Sequence, residues 1–176
     1  MLSEEQRKYI VSKFLLPVTI FNFFFNGGIG YVAFRELSFV PLWGDTSIGA
    51  DTIETSFFLP FFTYLFMTRI VSRHIKSGHV APWAVAQQRY RVVEKWPRGV
   101  LVGAFLLALA YLAFTAPVAG ALLQVLGPPT YSFAGAVLVK AAYSALLSLF
   151  VIPVIVALAL RKQAQPQVLA VDAKET

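Results

Sequence analysis

The chain has 176 residues, of which 57% are hydrophobic and 14% are charged, and its mean hydropathy is +0.67. Soluble domains carry about 25% charged residues, so this composition excludes an ordinary soluble domain and indicates an integral membrane protein. The chain has no cysteine, which excludes disulfides, thiol catalysis and cysteine metal sites.

Four apolar stretches are long enough to cross a bilayer, which takes roughly 20 residues in a helix. They are residues 13–34, 52–72, 99–125 and 131–160. No small-residue cleavage site follows the first stretch, so we interpret it as a retained helix rather than a signal peptide. The sequence therefore predicts an all-α fold, an integral membrane four-helix bundle that forms a single transmembrane domain over residues 1–162.

Basic residues flank these stretches unevenly. Of the 15 Lys and Arg residues, all except Arg35 and Lys140 lie before the first stretch or at its start, from the end of the second stretch to the start of the third, or after the fourth. The loop between the first two stretches and the start of the second hold four acidic residues, Glu36, Asp45, Asp51 and Glu54. Cytoplasmic loops are enriched in Lys and Arg, so we expect both termini in the cytoplasm and the protein in the inner (plasma) membrane of a bacterium. The basic excess is then an orientation signal, and membrane lipids rather than nucleic acid are the expected contacts.

The segment between the second and third stretches has a pattern of its own. Pro82 suits a first helical turn, and aromatic and basic residues alternate after it. We expect a short interfacial helix over about 82–95, lying on the inner leaflet, or alternatively a helix that docks a partner. The polar residues 163–176 are expected to form a disordered cytoplasmic tail.

Each apolar stretch also carries one polar stripe at helical spacing. Lipid is an unfavourable environment for such stripes, so we expect them to meet inside the bundle. The four stripes consist of Thr19, Asn22, Asn26 and Gly30; of Asp51, Glu54 and Thr55; of Tyr111 and Thr115; and of Lys140, Ser144 and Ser148.

Lys140 is the most informative of these residues. A lysine at the centre of a membrane helix costs about 2.5–3.5 kcal/mol on insertion scales, and such a residue marks a functional site by default. We predict that Lys140 pairs with Glu54, with Asp51 as the other carboxylate in reach. The complete candidate substrate or ion site is Lys140, Glu54, Asp51, Asn22, Asn26, Thr115 and Ser144. A structural pair that only fixes which helices are neighbours is the competing interpretation.

Several segments together resemble a known group of proteins. They are TSFFLPFFTYL, SRHIKSGHV, KWPRGV and LVKAAYSALLSLFVIPVIVALAL. The chain is similar in these segments to a group of small four-helix bacterial integral membrane proteins of uncharacterised function. The resemblance implies the four-helix membrane fold and no particular activity.

Three function classes fit these features. The first is a small transporter or channel, which implies a homo-oligomer because four helices rarely enclose a path alone. The second is an accessory or scaffold subunit of a larger membrane complex, and the third is a lipid-binding protein. An enzyme is not expected, because the sequence has no nucleophile–base set, no metal-ligand spacing and no phosphate-cradling loop. No cofactor is expected either.

Overall fold

The computed structural model describes residues 4–78, 96–97 and 99–162. The protein is mostly helical, at 82%, and this part of the predicted fold is confirmed. The predicted interfacial helix at 82–95 and the predicted disordered tail at 163–176 lie outside the described residues.

The described part of the chain contains helices, one π-helical turn and two short strands. In chain order they are α1 (Glu4–Tyr9), a π-helical turn (Ile10–Leu15), α2 (Leu16–Phe34), β1 (Phe39–Pro41), α3 (Ile48–Lys76), α4 (Val100–Leu126), β2 (Thr130–Ser132) and α5 (Phe133–Lys162). Helix α3 begins four residues before the second predicted stretch and ends four residues after it. As a result, Asp51 belongs to the helix instead of preceding it.

Three helices of the described chain are long and apolar enough to cross a membrane. They cover Ile10–Phe34, Val100–Leu126 and Phe133–Leu160, and they are compatible with a helical membrane protein. Helix α3 is not one of the three, although it has 29 residues. Its charged residues near both ends shorten its uninterrupted apolar part, so its mean hydropathy is lower than that of the three candidate spans.

The long helices pack as a series of pairs. Helix α5 lies against both α2 and α3, and α4 lies against α3. Helix α5 is therefore the central element: 56% of its apolar window is buried, compared with 22% for each of the other two candidate spans. Aliphatic residues of α5, such as Val151 and Ile155, form the largest core with Tyr64 and Val71 of α3.

The two short strands pair with each other across the end of the bundle. Strand β1 lies between α2 and α3 and runs antiparallel to β2, which lies between α4 and α5, with Val40 opposite Tyr131. Val40 is fully buried and packs with Phe34 and Ala136. Since Ala136 precedes Lys140 by one helical turn, this β-ribbon covers the end of the bundle nearest to that lysine.

Candidate functional site

Lys140 forms a buried ion pair between α5 and α3. Its Nζ donates a hydrogen bond to the Oδ1 of Asp51 and a longer one, of 3.4 Å, to the Oγ1 of Thr55. The Lys140 side chain is 4% exposed and that of Asp51 is 14% exposed. The ammonium therefore has a carboxylate partner in surroundings that exclude most water, as the cost of an unpaired buried charge requires.

The start of α3 places this carboxylate. Ser47 is in an extended conformation, and its Oγ accepts a hydrogen bond of 3.1 Å from the backbone N–H of Ala50, which caps the helix. Asp51 then lies in the first turn, where the helix dipole favours a negative charge. Thr55 follows at i+4 on the same face, so both side chains reach the ammonium.

The predicted pairing of Lys140 with Glu54 was wrong. Glu54 is exposed, whereas Thr52, two residues earlier, is buried. At 3.6 residues per turn, two residues correspond to about 200° around the helix, so Glu54 points away from α5. Asp51 lies at the edge of the buried face and is the partner instead.

Gly30 of α2 makes room for the lysine stem. A Cβ atom built at Gly30 would lie 2.7 Å from the Cδ of Lys140 and 3.6 Å from its Cβ. The first of these distances is well below carbon–carbon contact, near 3.5–4.0 Å. Helical spacing predicted that Gly30 lies on the polar face of its helix, but it predicted no contact for Gly30, because a glycine does not reveal which side chain packs against it.

A ladder of hydrogen bonds continues from the lysine between α5 and α2. Ser144 Oγ donates to the Lys140 carbonyl at 2.9 Å, and Ser148 Oγ donates to the Ser144 carbonyl at 2.7 Å. Asn22 Nδ2 donates to Ser148 Oγ at 2.7 Å, and Asn26 Nδ2 donates to the Asn22 carbonyl at 3.0 Å. All these residues are buried. The structure therefore brings both asparagines and Ser144 to one interface with Lys140.

Thr115 is not part of this cluster. Its Oγ1 donates to the carbonyl of Tyr111 at 2.8 Å within α4, and it faces a cavity between α4 and α5. Of the seven predicted site residues, Thr115 and Glu54 are therefore the two that the structure places away from the ion pair and its ladder.

One partly buried polar contact beside the site was not predicted. The hydroxyl groups of Ser56 and Tyr143 lie 2.6 Å apart and link α3 to α5 one turn from the ion pair. Ser56 Oγ also donates to the carbonyl of Thr52 at 2.7 Å. The signal was present in the sequence, since Thr52, Thr55 and Ser56 follow the i, i+3, i+4 spacing of one helical face.

The cavity between α4 and α5 has a volume of about 770 Å³. Side chains such as Phe114, Leu122 and Leu146 make its lining mostly apolar. A polar group at its edge, the Tyr111 hydroxyl, donates to the Phe150 carbonyl at 2.9 Å. The lining of the cavity is therefore mostly apolar, with few polar groups available to a ligand.

Two further findings bear on function. Within residues 4–78, 96–97 and 99–162, no group of three or more His, Asp or Glu residues is placed to hold a metal ion. The chain matches no family model, and no similar curated protein or solved structure was found. The chemistry of the ion pair and its surroundings is therefore the basis for a functional proposal.

Proposed function

We propose that this protein is a small multi-pass membrane transporter or channel whose charged centre is the Lys140–Asp51 pair. The observation that carries the proposal is a lysine, 4% exposed, paired with an aspartate in a bundle that contains three candidate spans. Ionisable residues inside membrane helices are rare, and they mark ion pathways and proton relays.

The unequal exposure of the two partners supports a mechanism that begins at the carboxylate. Asp51 is the more accessible of the two, at 14% against 4%. A proton that reaches the carboxylate removes its negative charge, and Lys140 then needs another anion as its partner. The transported species in this scheme is a proton, a small anion, or both together.

Helix α3 forms the fourth span in this proposal. It packs along α4 and α5, and its 29 residues extend about 43 Å at 1.5 Å per residue, more than the roughly 30 Å of a hydrocarbon core. Acidic residues lie near its first turn, and Arg69, Arg73 and Lys76 lie near its end. The positive-inside rule then places the end of α3 and both termini in the cytoplasm and the ion pair in the outer half of an inner-membrane protein.

A complete path requires further subunits beside a single copy of the chain. Both α2 and α4 leave most of their apolar windows uncovered, with 22% of each buried. Lipid can cover these faces, but lipid cannot line a path for ions. A homo-oligomer, or a larger membrane complex that contains this chain, supplies the missing wall.

Flux through proteoliposomes tests this function. We expect wild-type protein to carry protons or chloride, followed with a pH-sensitive dye and a chloride electrode. The double variant Lys140→Met/Asp51→Asn removes both charges, so it leaves no unpaired buried ion and folds. We expect this variant to lose at least nine-tenths of the flux, and Glu54→Gln, which removes an exposed charge nearby, to keep it. Full flux in the folded double variant would show that the pair is structural.

The cavity between α4 and α5 favours a second function, that of a lipid-binding protein. Its apolar lining and volume of about 770 Å³ suit an alkyl chain, and apolar pockets of 300–1,000 Å³ commonly hold small ligands. Filling it with Ala119→Phe lowers the retention of a fluorescent fatty acid if this function is correct. Ala113→Phe, at an exposed position of the same helix outside the cavity, is the matched control.

A further inference from the structure

A second polar feature lies at the opposite end of α3 from the ion pair. Arg69, Arg73 and Lys76 are spaced i, i+4 and i+7, which places them on one face of the helix. All three line a cavity of about 350 Å³. Val100 at the start of α4 and Ala159 near the end of α5 form apolar parts of its wall.

The positive charge in this cavity is not neutralised by the described part of the chain. Within residues 4–78, 96–97 and 99–162, the ion pairs are Arg35–Glu36 and Lys140–Asp51, and neither involves the cavity. The hydroxyl of Thr68, also in the wall, donates to the Tyr64 carbonyl at 2.7 Å. Among the described residues the three cations therefore have no carboxylate partner, and the ligand that suits them is an anion.

We propose that this cavity binds the phosphate group of an anionic membrane lipid. A guanidinium group binds phosphate through two parallel hydrogen bonds, and two such groups lie one turn apart here. The apolar wall lies at the ends of two candidate spans, where the first carbons of an acyl chain meet the helices. Basic pockets between membrane helices bind anionic headgroups in this way.

Cations near a helix C-terminus also interact favourably with the helix dipole, and the positive-inside rule accounts for their side of the membrane. Neither effect requires the cations to surround a cavity or to bind one lipid class. A stoichiometric lipid site is therefore a prediction that neither the helix dipole nor the positive-inside rule makes. It does not depend on the ion pair, so its failure would leave the flux results unchanged.

The test is lipid binding to the full chain in detergent, measured by native mass spectrometry during titration with phosphatidylglycerol. The variant Arg69→Gln/Arg73→Gln removes two charges from the cavity. Lys8→Gln/Lys13→Gln is the matched control, because both lysines are exposed and a hydrogen bond of 2.6 Å between Tyr9 and His74 places them at the same end of the molecule. We expect one tightly bound lipid, an affinity about tenfold lower in the cavity variant, and little change in the control.

Inorganic phosphate serves as the second probe. If it displaces phosphatidylglycerol and itself binds about tenfold more weakly to the cavity variant, the site recognises phosphate from either source. Equal affinity of both variants for phosphatidylglycerol, or equal losses in both, would overturn the proposal. If the double variant does not fold, the single variant Lys76→Gln, at an exposed position of the same cavity, is compared with the control instead.

Discussion

At the scale of single residues, Gly30 determines how closely α2 approaches the lysine stem. We expect Gly30→Ala to destabilise the protein by about 1–3 kcal/mol, the usual cost of an added group in a well-packed interior. The reason is that the new Cβ would lie 2.7 Å from Lys140 Cδ, so the stem must shift and its contact with Asp51 must loosen. Thermal unfolding in detergent measures the effect.

Gly28 provides the control in the same helix. It is exposed, and a Cβ built there meets nothing within 4 Å. Because alanine is a better helix former than glycine by about 0.5–1 kcal/mol, Gly28→Ala should leave stability unchanged or raise it slightly. The same response from both glycines would contradict the packing of Lys140 over Gly30.

Tyr9 gives the protein a pH-dependent contact at the other end of the bundle. Its hydroxyl lies 2.6 Å from Nδ1 of His74, and burial raises the pKa of Tyr9 from 10.0 to about 12. The folded protein therefore keeps this proton at pH values where the unfolded chain has released it. The resulting stabilisation is complete below about pH 10 and is lost as the pH rises towards 12.

Across that pH window, we expect deprotonation of Tyr9 to lower the free energy of unfolding of the wild type by less than about 1 kcal/mol, because the site is partly exposed and screened. Tyr9→Phe should remove this part of the pH dependence, while Tyr31→Phe, at an exposed tyrosine, should retain it. Denaturant unfolding at a series of alkaline pH values measures the slopes, and equal slopes for both variants would refute the role of Tyr9.

The residues of the ion pair show what a sequence can and cannot predict. Lys140 stands out because a charge inside an apolar run is costly, and the face shared with Ser144 follows from helical spacing. The carboxylate partner could not be chosen in this way, because Asp51 and Glu54 are both near enough along the chain. The choice depends on where α3 begins and on which of its faces meets α5, and packing determines both.

At the scale of elements, the β-ribbon holds together the two loops beside the ion pair. A cysteine pair tests its register, since the natural chain has no cysteine. Phe39 and Ser132 are directly opposite each other and exposed. Opposite Cα atoms in antiparallel strands are about 4.5–5.5 Å apart, within the range that a disulfide spans. We therefore expect Phe39→Cys/Ser132→Cys to form a disulfide on mild oxidation, detected by intact-mass analysis.

The control for this crosslink is Phe39→Cys/Thr130→Cys. Thr130 lies two residues from Ser132 on the same face of the strand, so its position is diagonal to Phe39, at about 7–8 Å. This pair should remain mostly reduced under the same conditions. Equal crosslinking of both pairs would show that the ribbon has a different register or is not formed.

The ribbon was not anticipated, although the long helices were. Helices follow from apolar stretches of sufficient length, a signal that each stretch carries by itself. Each strand has three residues, Phe39–Pro41 and Thr130–Ser132, and its partner is about ninety positions away along the chain. Such short strands have no periodicity to detect, and they pair here because α2, α3, α4 and α5 bring their connecting loops to the same end.

At the scale of the whole molecule, charge is divided between two ends. The exposed residues Lys8 and Lys13 lie at the same end as Arg73, because Tyr9 hydrogen-bonds to His74 beside it. The β-ribbon end carries acidic residues instead, such as Glu36 and Asp45. The fold thus collects basic residues from two separate parts of the sequence on one side, which is the distribution that the positive-inside rule associates with the cytoplasm.

Cysteine accessibility tests this orientation and the crossing of α3 together. Asp45→Cys, before the helix, and Ser77→Cys, after it, are both exposed positions in a chain with no other cysteine. If α3 crosses the membrane as proposed, its two ends lie on opposite sides. We then expect a membrane-impermeant maleimide to label Asp45→Cys in intact cells and to label Ser77→Cys only after the cells are opened. Labelling of both positions in intact cells would show that α3 does not cross, and labelling of Ser77→Cys alone would reverse the orientation and place the Lys140–Asp51 pair in the cytoplasmic half.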